Sequence, residues 1–592
     1  MKRLVSRLGL PLLAKELAEQ AARKRTYIVR VAYASLMFLA AYMMFYDTLR
    51  HVGSSPTAVL GRGRQMFDIL VGLQFAGIYL FAPALTCGLI TYEKERASLQ
   101  LLFLTRLGPW TILFEKLLSR LVPIVGFQML SLPLLAFAYS LGGISPQHLA
   151  GGVWMLLVSA LQTASLGLAC STYLRTTAGA FVWSYLLGTA LFLGPEFLWS
   201  AIGAPPRQLP VEIRFPFCGA ALFFGGANTF GVTTPLSELV AALVHAVPLL
   251  FSSGVCLVLS RYFLVSRAFA PPRHLVLDLF RRLDGAFARW NENRWTKGIV
   301  LIADVGSLPI DQPIAWRETT KRSLGRARYL IRLFLVLEVP LLAFCLLLVI
   351  AGLHQGREIV AYVVFLLWGI AVLMVSVQAA SLISAEKSHQ TLDVLCTTPL
   401  SSSDIIRQKY RGVQRLMAVL LVPFFTLFVF QAWWRSMTSG FRWSYDRPFE
   451  PMWYLFSEAV TVGIYLPMVA WLSLWIGLKA KTQARAIIGS LAAIVGWCLL
   501  PFLCCVFPVA WTTRGGEEII LIILSSPMAM IIINEVSGPG KIFESPLPLI
   551  MNSMFYGGAL FFFRQLCLMN ADQLLGRTAD GVGPPPGPAR DS

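Results

Sequence analysis

The segment 90–116, ITYEKERASLQLLFLTRLGPWTILFEK, recurs at 383–409 as ISAEKSHQTLDVLCTTPLSSSDIIRQK, without a gap and at a constant offset of 293. Glu93/Glu386, Lys94/Lys387, Leu99/Leu392, Leu102/Leu395, Thr105/Thr398, Leu107/Leu400, Ile112/Ile405 and Lys116/Lys409 are identical. Each copy follows a long apolar run. A second gapless correspondence, at an offset of 302, joins 11–30 to 313–332, with Pro11/Pro313, Glu16/Glu318, Tyr27/Tyr329 and Arg30/Arg332 identical and Lys15/Arg317 alike. Both of these segments mix charge with apolar positions, as an amphipathic helix lying on a membrane does. The chain therefore reads as a duplicated unit, each half opening on an interfacial helix and carrying the motif after its second span.

Only 14% of the 592 residues are charged, against roughly 25% in a soluble domain, while 56% are hydrophobic and the mean hydropathy is +0.66. Apolar runs of about 20 residues with so few charges indicate a polytopic helical membrane protein; barrel strands would alternate over about 10 residues. The net charge of +19 follows from Lys and Arg crowding one side of the membrane, and nucleic-acid binding is not implied. The N-terminus is no secretory signal, because Pro11, Lys15 and Glu16 break its first apolar stretch. Ten Cys occur without a CxxC, mostly inside apolar runs, and suggest neither disulfides nor a metal set.

The expected fold is all-α, with about twelve transmembrane helices in two parallel six-helix repeats. Spans fall near 28–47, 66–91, 117–140, 150–173, 179–202 and 238–264, and near 330–352, 360–385, 411–434, 454–478, 485–511 and 547–568. The organisation is a first half at 1–264, a cytoplasmic amphipathic linker at 265–312, a second half at 313–570 and a disordered, Pro/Gly-rich cytoplasmic tail at 571–592. Between the fifth and sixth spans of each half lies a short apolar piece, 216–231 or 519–535, read as re-entrant or extracellular; 519–535 as a full span is the alternative. Basic residues before the first span, Arg96 and Arg106 in the motif, and the Arg-rich 265–312 place these segments and both termini in the cytoplasm. Arg435, Arg442 and Arg447 fall in a gap assigned to the outside and count against this scheme.

Within the motif, Leu99 and Leu102, and Leu392 and Leu395, are spaced i, i+3 and form one apolar stripe on a helix. A turn follows. Ser401 and Asp404 suit the start of the next helix in the second copy, and Pro109 suits it in the first. The expected local structure is helix, tight turn, helix.

The pattern Ile-x-x-Glu, Thr-Leu-x-x-Leu-x-x-Thr-Pro-Leu-Ser, Ile and Lys, complete at 383–409, resembles the permeases of type 2 ABC exporters. So does a half that opens on Pro, Lys/Arg and Glu (Pro11, Lys15, Glu16; Pro313, Arg317, Glu318). The first copy departs from the pattern at Arg106 and Gly108-Pro109-Trp110. The likeness is specific over about 50 residues in each half. In that family this loop is the coupling helix that docks on the ATPase subunit. The resemblance thus implies docking at 93–108 and 386–401, through Glu93, Leu99, Leu102, Thr105, Glu386, Leu392, Leu395, Thr398 and Pro399. It implies two copies of a P-loop ATPase per chain, with ATP bound by that partner and no cofactor in this chain, and export across the inner (plasma) membrane. Glu93 and Glu386 are expected to pair with basic residues of the interfacial helices, such as Arg23–Arg25 and Arg322–Arg328.

No Walker A loop is present: the only Gly-Lys pair, Gly540-Lys541, is followed by Ile542, and Glu535 stands where the first Gly belongs. Neither HExxH nor GxSxG occurs, so no catalytic residues are assigned. Charged or titratable residues inside spans mark transport paths or packing contacts; Glu338, Glu196 and His245 are the candidates. An ion-gradient-driven secondary carrier, using Glu338, is the alternative function, and a non-transporting membrane scaffold or a membrane-bound enzyme is a third.

Overall fold

The computed structural model describes residues 11–22, 24–51, 63–95, 98–104, 107–201, 210–226, 235–267, 312–317, 327–351, 356–388, 390–439, 451–480, 482–501, 526–536 and 547–577. It forms two compact units, 1–272 and 273–592. Among the described residues every regular element is helical. The first unit contains α1 (Pro11–Ala22), α2 (Lys24–His51), α3 (Gly63–Thr86), α4 (Thr91–Glu95), α5 (Leu99–Phe103), α6 (Pro109–Ser140), α7 (Pro146–Tyr173), α8 (Thr177–Ala201), α9 (Val211–Arg214), α10 (Gly219–Gly226) and α11 (Pro235–Arg267). The second contains α12 (Pro313–Trp316), α13 (Ala327–Ala351), α14 (Gly356–Ser388), α15 (Leu392–Cys396), α16 (Ser402–Ser439), α17 (Pro451–Lys479), α18 (Gln483–Pro501), α19 (Pro527–Val536), α20 (Leu547–Met569) and α21 (Ala571–Leu575).

Among the described residues, eight helices are long and apolar enough to cross a membrane. Five are in the first unit (Gly63–Glu95, Pro109–Ser140, Pro146–Tyr173, Thr177–Glu196, Val240–Ser266) and three in the second (Val360–Ser388, Ser402–Met437, Pro451–Lys479). Helices are what such sequences must form, because lipid offers no partner for a free backbone N–H or C=O. Side chains such as Phe251, Val258 and Phe425 stand more than half exposed on the outside of these helices, where lipid rather than water suits them. The protein is thus a multi-pass helical membrane protein. Shorter apolar helices occur at Thr26–Tyr42, Glu338–Ile350 and Gln483–Cys498.

Each unit is built around one central helix. In the first, α7 packs on α3, α6, α8 and α11; in the second, α17 packs on α14, α16, α18 and α20. Small residues let backbones approach closely at these crossings. A Cβ at Gly477 on α17 would collide with the Ala380 carbonyl of α14, and one at Gly167 on α7 would collide with the Thr86 hydroxyl of α3. Polar side chains join helices inside each bundle. Ser131 donates to Gln74 at 2.9 Å, Gln128 to the Leu156 carbonyl at 3.3 Å, and Gln162 to Ser252 at 2.7 Å.

The expected helix starts are present. Ser401 accepts from the Asp404 N–H at 3.1 Å, capping the start of α16, and its hydroxyl donates to the Asp404 carboxylate at 2.5 Å. Pro109 occupies the first turn of α6 after Gly108. The apolar piece at 519–535 is described only from Ser526 onward. There α19 is a helix of 10 residues, about 15 Å long, half the hydrocarbon thickness. The linker 265–312 lies outside the described residues apart from 265–267 and Gln312, as do the sequences around Arg442 and Arg447 and the tail from 578 onward.

Candidate functional site

The repeated motif forms the same bend in both units. At the end of α4, the Glu93 carboxylate accepts from Lys116 Nζ of α6 at 3.2 Å and from the Ser98 hydroxyl. At the end of α14, the Glu386 carboxylate accepts from Lys409 Nζ of α16 at 2.8 Å and from the Thr391 hydroxyl. The carbonyls of Glu93 and Glu386 also accept the N–H of Ser98 and Thr391, each at 3.0 Å. All three positions are equivalent at the offset of 293. Each bend is thus tied at its base to the following span by a largely buried ion pair.

The neighbouring lysines act in parallel too. Lys94 donates to carbonyls at the C-terminal end of α7, Ser171 at 3.3 Å and Leu174 at 3.0 Å, and Lys387 donates to the Leu478 carbonyl at the end of α17. A cation at a helix C-terminus satisfies orphan carbonyls and opposes the helix dipole. α1 and α12 are anchored one residue before the paired lysines. Glu115 accepts from the Leu13 N–H at 3.0 Å; Gln408 accepts from those of Ile314 and Ala315 at 3.2 and 3.3 Å. In the first unit Glu16 joins the network through Lys116 at 3.3 Å and Ser119 at 2.5 Å. Glu318 lies outside the described residues. The partners of Glu93 and Glu386 are therefore Lys116 and Lys409. The side chains of Arg23–Arg25 and of 322–328 are outside the described set, and the interfacial helices reach the carboxylates through the charges of Lys15 and Arg317.

The Leu stripe turns inward. Leu99 is buried with Leu89, Ile90, Leu113 and Leu264, and Leu392 and Leu395 join the core of the second unit. Leu102 is half-buried. The large apolar side chains exposed on the bends are Leu101 (66% exposed), Leu104 (82%) and Val394 (70%). Leu101 and Val394 are again equivalent repeat positions. Thr398 donates to the Leu395 carbonyl at 2.7 Å, Pro399 is exposed beside it, and Thr105 lies outside the described residues.

The second bend has a brace that the sequence did not suggest. Residues 571–577, expected within a disordered tail, are packed: Ala571 and Leu575 are buried, Gly576 takes a positive φ of 80° that ends the helical turn, and Arg577 folds back. Its guanidinium donates to the carbonyls of Leu400 at 2.5 Å, Thr398 at 2.9 Å and Cys396. Burial pushes the Cys396 thiol up, partly offset by the Arg577 charge.

The three candidates for a path differ. Glu338 is buried in α13, accepts from Thr426 of α16 through one oxygen, and has no hydrogen-bond partner for the other. Glu196 is neutralised by Arg214 of α9, whose Nε lies 2.7 Å from it. His245 stands 3.8 Å from Glu212 of the same short helix. So α9, between the fifth and sixth expected spans, carries the cation paired with Glu196 and the carboxylate nearest His245.

The second unit holds a buried polar cluster that sequence reading missed. Glu535 of α19 accepts from Gln431 at 2.6 Å and from Tyr454 at 2.9 Å, with Arg435 of α16 at 3.7 Å. Arg435 also donates to the Asn534 carbonyl at 3.1 Å and lies over the Tyr454 ring at 5.0 Å. Glu458 of α17 is fully buried beside this group, with Asn534, Glu535 and Arg435 as its polar neighbours. Among the described residues no cluster of three or more metal-ligating side chains occurs.

No protein-family model matches the chain, and no curated protein matches it.

Proposed function

We propose that the chain is the transmembrane permease of an ABC-type exporter, with two copies of a separate P-loop ATPase subunit docking on the bends 93–108 and 386–401. In this reading α2, α13, α18 and α20 join the eight long apolar helices to make twelve spans in two parallel six-helix halves. Both termini and both bends face the cytoplasm from the inner (plasma) membrane. ATP draws the ATPase subunits together, and the bends pass that movement to the spans. The observation that carries the reading is the pairing, in each unit, of an exposed apolar side chain (Leu101, Val394) with a base fixed by a Glu–Lys pair (Glu93–Lys116, Glu386–Lys409). Such a bend offers a contact and transmits force.

The test is to purify the tagged chain in mild detergent from its own host and identify bound proteins with their stoichiometry. A P-loop ATPase at two copies per chain, lost on combining Leu101→Asp with Val394→Asp, supports the reading; a stable chain without one overturns it. A second reading, an ion-driven carrier, is favoured by the unpaired buried oxygen of Glu338. Glu338→Gln separates the two: transport survives it in the ATP-driven case and is abolished in the ion-driven one.

A further inference from the structure

In the second unit, α12 and the start of α16 enclose an open groove of about 560 Å³ lined by Gln312, Trp316, Arg411, Gln414 and Arg415. Arg411, Gln414 and Arg415 are exposed and follow at i, i+3 and i+4, so they share one helix face. Arg411 donates to Gln312, which fixes its guanidinium at the mouth of the groove.

The depth of this groove follows from the sequence of α16. After Arg415 no charged residue occurs until Arg435, an interval of 19 residues (416–434). Such a run is about 28 Å long, the thickness of the hydrocarbon core. The two arginines therefore stand at headgroup level, and Trp316 beside them suits the same interface. Beyond them the same face continues through Ala418, Leu421 (45% exposed) and Phe425 (68% exposed), an apolar track descending into the membrane.

The first unit provides an internal contrast. At the offsets of the repeat, Arg411, Gln414, Arg415 and Trp316 correspond to Leu118, Leu121, Val122 and Ala14. Leu118 and Val122 are exposed apolar residues, as expected of plain lipid-facing surface. The nearby Arg120 is directed to Glu16 at 3.9 Å. Two cations and an indole thus stand at repeat positions where the first unit has only apolar side chains.

We propose that this groove binds the phosphate headgroup of an anionic phospholipid, with Arg411 and Arg415 on the phosphate and one acyl chain along Ala418, Leu421 and Phe425. Guanidinium forks match phosphate oxygens, and basic pockets at this depth collect anionic headgroups. The apolar track argues for a lipid over a soluble phosphate. The proposal stands whether or not the chain is a transporter.

The test uses the full chain in detergent micelles doped with phosphatidylglycerol or phosphatidylcholine, with bound lipid counted by native mass spectrometry. The variant Arg411→Leu/Arg415→Val carries the first unit's own residues, and its thermal unfolding verifies that it is folded. Wild type should prefer phosphatidylglycerol, and the variant should bind it roughly 30-fold more weakly, from the attraction typical of two surface cations. Phosphatidylcholine binding should not change. Equal retention of the two lipids by wild type, or undiminished phosphatidylglycerol binding by the folded variant, overturns the proposal. Displacement by millimolar inorganic phosphate also overturns it, and reassigns the groove to a soluble phosphate.

Discussion

Lys409 Nζ lies 2.8 Å from Glu386 Oε1 and joins the end of α14 to the start of α16 across the intervening bend. Both side chains are largely buried, at 2% and 11% exposure. Removing one member leaves an uncompensated charge in a place where water cannot solvate it.

Glu386→Lys and Lys409→Glu should each lower stability by about 3–5 kcal/mol. The double exchange Glu386→Lys/Lys409→Glu should recover most of that loss. Thermal unfolding of the four proteins in one detergent checks this. The equivalent exchange of Glu93 and Lys116 should cost less, because Glu93 is 23% exposed. Equal, additive losses in the double variant would show that the two groups act independently.

The inward and outward faces of the bends should respond oppositely. Leu392→Ala should cost about 2–3 kcal/mol of stability as a buried cavity, while Val394→Asp should leave unfolding within about 0.5 kcal/mol. On the proposed function, Val394→Asp and not Leu392→Ala should lower the bound ATPase from two copies to one in a chain that unfolds normally. Co-purification scored beside thermal unfolding distinguishes these effects.

Arg577→Ala should free the carbonyls of Cys396, Thr398 and Leu400. A charge-assisted contact of this kind contributes about 1.5–3 kcal/mol. The expected change is local, with faster amide hydrogen exchange in 396–401 and 571–577 and none in 98–104. Uniformly faster exchange through the second unit would mean that the C-terminal turn supports the whole bundle.

Arg435→Leu should destabilise the second unit by about 3–5 kcal/mol, because Glu535 loses its cation in a fully buried setting. Adding Glu535→Gln to that variant should restore much of the loss, since Gln431 and Tyr454 can still reach the amide. Unfolding midpoints of the three proteins decide the matter.

Much of the helical layout could be read from apolar run length, since bilayer thickness fixes a span and so few charges interrupt these runs. The capping of α16 by Ser401 and the entry of α6 at Pro109 were legible for a similar reason: both depend on neighbours within four residues. The faces of α5 and α15 were not. A five-residue helix has two apolar positions whichever side it turns, so the Leu99–Leu102 spacing cannot separate a core stripe from a docking stripe. The ion pairs were visible in part. Glu93, Glu386, Lys116 and Lys409 are all repeat identities, but pairing residues 23 apart requires knowing how sharply the chain folds back. Arg435 counted against the orientation scheme because its partner Glu535 is 100 residues away. Arg577 has no counterpart in the repeat, and its position beside a Pro/Gly-rich tail hid it.

The contact of Gly477 with the Ala380 backbone has a mechanical consequence. Two helices that approach main chain to main chain, with no side chain between them at the crossing, have no rotamer there to change and pack tightly. α14 and α17 therefore form a stiff pillar. Lys387, reaching from the end of one to the end of the other, fastens that pillar at the same end as the bend. On the proposed function, a push at Val394 would reach both helices together as a tilt, with the Ala380–Gly477 crossing as its fulcrum.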